Sequence, residues 1–519
     1  MRMEYPDIIF RPAWTCGRYH KESHSALMYN LLAGYAFLFE DKSADAVGAL
    51  LSFCRGEPVS VNGIQALTGI PVDALKPFLS QLGEVGLVST IKTDGVIVNR
   101  YREQLKEVSL SHERDKSPFE QLTVSQNDSE KAYIRRTKVL VGAAMFELTY
   151  NCSEKCIHCY NPGATRNDSE ISFRNRPELS FSDYKRIIDD LYDNGLVKVC
   201  LTGGDPFSKD CIWEIINYLY NKEIAFEVFT NGQRLMGNED RLASCFPSDV
   251  GVALYGPSAE IHDNVTRING SFQKSLKVIE RLSSLSVPCV IKCTLMRSNV
   301  KHYPAMFELA KNLHAELQIE CRLFDGLDGD HCISKHLRLT EEELSIVLRD
   351  PRLPFYVGTE LEEMGAEPID MDHIACRAGV SNFTITPEGF LIPCCSYHAK
   401  IGDLRRGTIR EELETNPSYQ KLLNTPLSHY EECGRHEYCS FCKMCPGLNY
   451  SENGTPLRPS ENNCFIAKTR YHVATLLKQG LDPIKGHSIE SALMALPDYP
   501  HKIISRDIRE NYLNNNLSI

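Results

Sequence analysis

The chain has no excess of positive charge. It carries 57 Lys and Arg against 68 Asp and Glu over 519 residues, a net charge of -11. A phosphate backbone is therefore an unfavourable main partner, and no nucleic-acid partner is expected. No apolar run approaches the roughly 20 residues that a membrane-spanning helix needs. The opening residues MRMEYPDIIF lack a basic start followed by an apolar stretch, so no signal peptide and a cytoplasmic location are expected. Cysteine is plentiful, at 20 residues. In a long chain without a leader these point to metal binding in a reducing compartment, not to a disulfide framework.

Three of the cysteines, Cys152, Cys156 and Cys159, follow the apolar run that starts at Phe146, with C-x3-C-x2-C spacing. Three thiolates on one short loop can hold three irons of a cubane cluster and leave the fourth iron open. A zinc knuckle or half a disulfide framework is the alternative for three close cysteines read alone. The spacing resembles the signature of radical S-adenosylmethionine (SAM) enzymes. The resemblance implies a 4Fe-4S cluster whose open iron chelates SAM and reduces it to a 5'-deoxyadenosyl radical.

From Leu140 to about residue 335, strand and helix patterns alternate. Strands are expected at Phe146–Tyr150, Val197–Leu201, Ala225–Phe229, Val250–Tyr255, Cys289–Leu295 and Leu317–Glu320. Six β/α units predict an α/β fold with a partial (β/α)6 barrel, whose active site lies at the C-terminal strand ends. At those ends stand Leu201-Thr-Gly-Gly-Asp-Pro-Phe207, Phe229-Thr-Asn-Gly232, Ala253-Leu-Tyr-Gly-Pro257, Arg267 and Thr294-Leu-Met-Arg-Ser-Asn299. Paired glycines let backbone approach a ligand closely. In order, these segments resemble the SAM-binding motifs of the family. The resemblance implies SAM contacts from Gly203, Gly204, Asp205, Pro206, Thr230, Asn231, Gly232, Tyr255, Arg267 and Asn299. Asp205 replaces the commoner Glu, and Arg267 matches an arginine placed near the SAM carboxylate. The alternative for Arg267 is a solvated helix cap.

Residues 1–105 read as a separate domain. Tyr29–Phe39 is strand-like; Ala44–Cys54, Val61–Leu67 and Val72–Leu82 are helical; Gly83–Val98 gives two short strands around the turn Lys92-Thr-Asp-Gly95. Three helices and a β-wing make a winged helix. Its third helix offers only Lys76 to a phosphate, which argues against DNA. Ala66 to Leu87 resembles the peptide-recognition element of ribosomal peptide maturases. That implies a precursor-peptide partner whose leader adds as an extra strand to a sheet edge. Residues 106–138, polar and without a clean period, read as a linker.

Eight cysteines lie between Cys376 and Cys464. The set Cys376, Cys394, Cys395, Cys433, Cys439, Cys442, Cys445 and Cys464, with a hairpin around Gly389, resembles the SPASM extension of radical SAM peptide maturases. The resemblance implies two auxiliary 4Fe-4S clusters, three in all. Cluster I would take Cys376, Cys394 and Cys445, with Cys395 or an open site as the fourth. Cluster II would take Cys433, Cys442 and Cys464, with Cys439 or His436 completing it. A zinc-binding tail is the alternative. Domain limits follow: barrel 139–335, bridging region 336–375, SPASM domain 376–470 and helical tail 471–519. The implied function is a peptide maturase that makes thioether or carbon-carbon crosslinks, fed by an external electron donor such as flavodoxin or ferredoxin. Alternatives are a peptide epimerase, with Cys332 as hydrogen donor, a sulfatase-maturase-like enzyme, and an iron-sulfur DNA-binding sensor.

Overall fold

A computed structural model describes residues 7–92, 98, 126–161, 177–326, 332–358 and 369–499. The chain begins with β1 (Ile8–Phe10), β2 (Thr15–His20), β3 (Ser25–Asn30) and β4 (Tyr35–Glu40). Strands β2, β3 and β4 form an antiparallel meander, while β1 pairs with β5 (Pro58–Ser60). Helices α1 (Asp41–Leu51), α2 (Val61–Thr68) and α3 (Val72–Glu84) follow. The expected single strand at Tyr29–Phe39 is thus two strands, split by a turn in which Gly34 takes φ +71. The aromatic run hid the turn because both flanking strands are apolar. Residues 85–92 form no strand; Ser89 makes one isolated bridge to Phe10. Residues 93–97 of the expected hairpin lie outside the described residues.

The linker reading needs correction. Residues 126–137 form helix α4 (Gln126–Thr137), which lies on β3 and β4 opposite α1. All six residues of β3 are buried because helices cover both of its faces. Residues 106–125 lie outside the described residues.

Six parallel strands come next: β6 (Ala143–Glu147), β7 (Lys198–Thr202), β8 (Ala225–Thr230), β9 (Asp249–Ala253), β10 (Cys289–Thr294) and β11 (Glu316–Glu320). Between them run α5 (Phe181–Asp193), α6 (Ile212–Asn221), α7 (Glu239–Ala243), α8 (Ala259–Thr266), α9 (Ser271–Ser284) and α10 (Tyr303–Asn312). Alternate strand residues, among them Val199, Leu201, Phe226, Val228, Val250, Val252 and Ile291, pack outward in one apolar core that includes residues of these helices. The other set faces the lumen and carries Lys198, Glu227, Asp249 and Lys292 beside Met145, Ala225 and Phe229. Lys198 Nζ lies 2.9 Å from Glu227 Oε2 and 3.8 Å from Glu130 of α4, whose Oε1 accepts from Tyr29 Oη at 3.1 Å. The N-terminal domain and α4 therefore meet the lumen at the N-terminal ends of the strands, away from the expected site. The first strand is Ala143–Glu147, three residues before the expected span. Residues 148–150 already belong to the cysteine loop.

The sheet continues past β6. Strand β12 (Asn382–Ile385) pairs parallel with β6, and β13 (Phe390–Ile392) and β14 (Gly402–Asp403) extend it antiparallel. Barrel and C-terminal hairpin thus share one nine-stranded sheet. Helices α11 (Cys332–Leu337), α12 (Glu341–Val347), α13 (Ile409–Thr415), α14 (Pro417–Leu423), α15 (Pro446–Asn453), α16 (Glu461–Lys478) and α17 (Ile489–Met494) complete the described chain. The proposed limits at 335 and 470 each fall inside a helix, α11 and α16. Among the described residues no helix is long and apolar enough to cross a membrane.

The N-terminal domain is clamped to the barrel. Arg11, with a fully buried side chain, donates both guanidinium ends to Glu223 at 2.5 Å. Arg55 stacks 4.0 Å over the Tyr220 ring, and Arg18 stacks 4.1 Å over Tyr192. Trp14, Tyr29, Leu31, Tyr133, Val197, Ala225 and Phe246 form a shared apolar cluster. Arg11→Ala removes the two-pronged partner of Glu223, which keeps Arg55 Nε at 3.6 Å, and should cost about 2 kcal/mol. The check is the denaturant midpoint of the whole chain; an unchanged midpoint would contradict the clamp.

Candidate metal and cofactor centre

The cysteine loop begins where β6 ends. Two backbone bonds fix its entry: Gly204 N–H donates to Thr149 O at 2.7 Å, and Asp205 N–H donates to Asn151 O at 3.0 Å. A Cβ on Gly203 would lie 2.5 Å from Thr149 O, and one on Gly204 would lie 2.5 Å from Asn151 O. Gly203 also takes φ +137. The expected reason for the glycine pair was close approach to a ligand. In the structure they let the second strand end press against the cysteine loop.

The three thiols share one neighbourhood, since the charge of Cys159 raises Cys152 and the charges of Cys159 and Cys152 raise Cys156. Burial pushes Cys152 up to about 12 and raises Cys156 well above the ordinary thiol range. Such thiols ionise when cationic irons draw off their protons. Donors already face the sulfur: Asn231 Nδ2 lies 3.3 Å from Cys152 Sγ, and the Glu154 N–H lies 3.4 Å from it. The donor set suits thiolates holding a cluster.

Asp205 is fully buried. Its Oδ1 accepts the Thr230 hydroxyl at 2.5 Å, while its Oδ2 is buried without a partner. Burial raises this carboxyl to about 6, against the lowering pull of Thr230, the Asn231 N–H and Arg234. An orphaned buried carboxylate oxygen beside the cysteine loop fits the ammonium group of SAM. Pro206 opens the short 3-10 turn Pro206–Ser208 behind it. Gly232, at φ +82, donates its N–H to Thr230 Oγ1 at 3.0 Å and so shapes the third turn.

Other expected contacts are placed differently. Asn299 is buried, but its Nδ2 donates to Tyr255 O and Thr294 O, and its Oδ1 accepts from Met296 N. It ties the ends of β9 and β10 together. Arg267 is exposed, in the left-handed C-cap position of α8 at φ +62. Tyr255 stacks on His262 at 5.6 Å and meets His158 edge-on at 4.7 Å. Cys332 opens α11, and its side chain lies outside the described residues.

The C-terminal thiols fall into two groups. Cys433, Cys439, Cys442 and Cys464 line one pocket, with Asn463 Nδ2 3.2 Å from Cys442 Sγ. His436 also borders that pocket but is exposed; its ring stacks on Tyr438 at 4.9 Å, and Nε2 lies 3.6 Å from Glu432. The structure therefore favours Cys439 over His436 as the fourth thiol-side neighbour. Cys376, Cys394 and Cys445 form the second group, each within reach of another's charge. Burial pushes Cys394 up to about 12. Cys395 stands beside this group and is raised to about 11 by burial, with the Glu147 charge adding.

Sequence reasoning missed Glu147 and Glu154. Glu147, the last residue of β6, is raised to about 8 by burial with Glu388 adding, and its Oε2 has no partner. Glu154, inside the loop, is also raised to about 8 by burial. The available signal was an acid ending an apolar strand, directly before the cysteines.

Two outcomes follow. Gly204→Ala should displace the loop and remove about four irons per chain after anaerobic reconstitution; a full iron content would contradict the packing argument. Asp205 ionises as pH rises through about 6, so its attraction for an ammonium grows over that range. SAM affinity measured by equilibrium dialysis should rise between pH 5 and pH 7 and lose that rise in Asp205→Asn; an identical profile in the variant would contradict the assignment.

Residues 146–310 match the radical SAM superfamily, and residues 376–446 match an iron-sulfur cluster-binding (SPASM) domain. The chain is similar to the AdoMet-dependent heme synthase of Methanosarcina barkeri, 25% identical over 329 residues that span 60% of this chain and 92% of that protein. It is similar to the antilisterial bacteriocin subtilosin biosynthesis protein AlbA of Bacillus subtilis, 26% identical over 342 residues that span 63% of this chain and 71% of that protein. Its fold is similar to Streptococcus suis SuiB bound to S-adenosylmethionine, with TM-score 0.50 and 15% identity over 88% of this chain and 99% of that one. With the thiol groups falling inside or beside the two matched segments, the chain is a radical SAM enzyme that carries a SPASM domain.

Proposed function

We propose that this enzyme is a maturase of a ribosomally made precursor peptide, joining side chains by a thioether or carbon-carbon crosslink. The observation that carries the reading is a small β-meander domain, β2 to β4 with α1 to α3, fixed to a radical SAM barrel that also holds two further cysteine groups. The outer edges of β2 and β4 have no strand partner among the described residues, and an extended leader segment can add to such an edge. Phe39 of β4 meets Phe78 of α3 edge-on at 6.0 Å, so one edge strand and the third helix pack together. The heme synthase likeness spans 60% of the chain, whereas the SuiB fold likeness spans 88%. AlbA, whose name assigns it to bacteriocin biosynthesis, supports a peptide substrate.

Cluster and SAM together supply a 5'-deoxyadenosyl radical, which takes hydrogen from an unactivated carbon. The chain's own residues do the positioning. Cys152, Cys156 and Cys159 hold the cluster, and Asp205 receives the SAM ammonium. Glu147, raised to about 8 by burial, keeps a buried Oε2 without a partner at the end of β6. The auxiliary groups would hold two more clusters, which accept the electron left on the substrate.

The test is to look for a short cysteine- or aromatic-rich reading frame beside the gene, co-express it with the enzyme and weigh the peptide. A loss of two mass units supports crosslinking; unchanged mass with deuterium uptake means epimerisation and overturns the crosslink reading. Iron counting should give about 12 per chain, for three clusters. A count of about 8 would remove one auxiliary cluster from the account. Replacing Cys152, Cys156 and Cys159 together by Ala should abolish SAM cleavage, measured as 5'-deoxyadenosine; retained cleavage would contradict the site.

A further inference from the structure

Two buried asparagines turn their amide nitrogens toward the thiols of one cysteine group. Asn463 stands in the first turn of α16, next to Cys464, and its Nδ2 lies 3.2 Å from Cys442 Sγ and 3.3 Å from Lys443 O. A carbonyl oxygen only accepts, so the amide must present its N–H side, not its oxygen, to this pair. Asn449 of α15 places its Nδ2 2.8 Å from Pro456 O and 4.0 Å from Cys433 Sγ, and the same reasoning fixes its orientation.

Ser460 locks the two together. Its Oγ accepts the Asn463 N–H at 3.0 Å and donates to Glu452 Oε1 at 2.8 Å, while its own N–H donates to Asn449 Oδ1 at 2.9 Å. Protein contacts alone therefore hold the Asn463 amide against Cys442. The group at Cys376, Cys394 and Cys445 is served differently. There the Ala378 N–H lies 3.4 Å from Cys376 Sγ and the Leu448 N–H 3.5 Å from Cys445 Sγ. Backbone donors persist whatever side chain they carry; the donor on Cys442 exists only because residue 463 is asparagine. Hydrogen bonds to sulfur are one of the levers that set the reduction potential of an iron-sulfur cluster. An N–H facing a thiolate draws negative charge from it, which favours the reduced, more negative state and raises the potential. Burial keeps water from competing for that N–H, so the bond counts for more.

We propose that Asn463 sets the reduction potential of the cluster held by Cys433, Cys439, Cys442 and Cys464, raising it so that this cluster takes up one electron more readily. Asn463 is a positioning residue: it acts through Cys442 and touches no substrate. The electron is the one that the crosslink reading leaves on the peptide; the cluster gains it, and no bond forms or breaks at the cluster. This rests on the reading that the four thiols hold a reducible cluster. Asn449, farther from its sulfur, chiefly fixes Ser460.

The test is an anaerobic redox titration of the reconstituted holoenzyme, followed by electron paramagnetic resonance. Added SAM alters the signal of the cluster that binds it, and Cys464→Ala removes the signal of the cluster in question. Asn463→Leu keeps the shape of the side chain and removes the donor. It should weaken one-electron reduction of that cluster about tenfold, a fall in midpoint potential of about 59 mV, with the other two midpoints unchanged. Asn463→Ala should lower the same midpoint. A variant with full iron content whose midpoint is unchanged or raised would overturn the proposal. Loss of about four irons per chain in both variants would make Asn463 a structural brace and overturn it as well; if only one loses iron, the other is read by the same criterion. Should Cys464→Ala keep all its iron and every signal, the cluster reading itself would fail, and the proposal with it.

Discussion

The structure turns on the close approach of two strand ends. Gly203 and Gly204 let the β7 end press to within hydrogen-bond distance of the loop that follows β6. Without that contact the cysteine loop has no fixed entry, and Asp205 does not reach the loop. The same contact buries Asp205 and orphans its Oδ2. One steric requirement therefore sets both the position of the thiols and the electrostatics of the neighbouring carboxyl. Thr230 and Asn231 extend it to the third strand, one bonding Asp205 and the other Cys152.

The lumen inverts the usual economy of a small closed barrel, whose interior is packed with apolar side chains. Here Lys198, Glu227, Asp249 and Lys292 occupy it, paired with one another and with Glu130. Burying these charges is tolerable because they are paired and because α4 closes the lower opening. At the upper end the sheet continues through β12 to β14, so the hairpin that leads to Cys394 is built on the edge of β6. Glu147 and Glu388 face each other across that seam. Cys394 follows β13 of the same sheet whose β6 leads into the first cysteine group, whereas Cys445 joins the second group from the start of α15.

Much of this was legible in the sequence. The C-x3-C-x2-C spacing, the order of strand-end motifs and the eight late cysteines depend on local spacing, and local spacing survives folding. What was not legible depended on contacts between distant segments. The turn at 31–34 was hidden by apolar residues on both sides. Helix α4 has a polar surface and weak periodicity; it is held by Ser129 bonding Ala36 O and by Tyr29 meeting Glu130, contacts a linear reading does not contain. Asn299 and the glycine pair also brace strand ends, a role the sequence did not show because a ligand contact and a backbone brace use the same residue types. Cys439 and His436 could not be ranked by spacing; both border one pocket, and burial separates them, Cys439 being buried and His436 exposed.

The central claim is that SAM fills the open position of a cluster held by Cys152, Cys156 and Cys159, with its amino group beside the cluster and donating an N–H to Asp205. Electron-nuclear double resonance on the reduced protein with SAM carrying 15N in its amino group tests this directly. The account predicts a hyperfine coupling between that nitrogen and the cluster. A spectrum with no such coupling, at a SAM concentration that saturates binding, would contradict it.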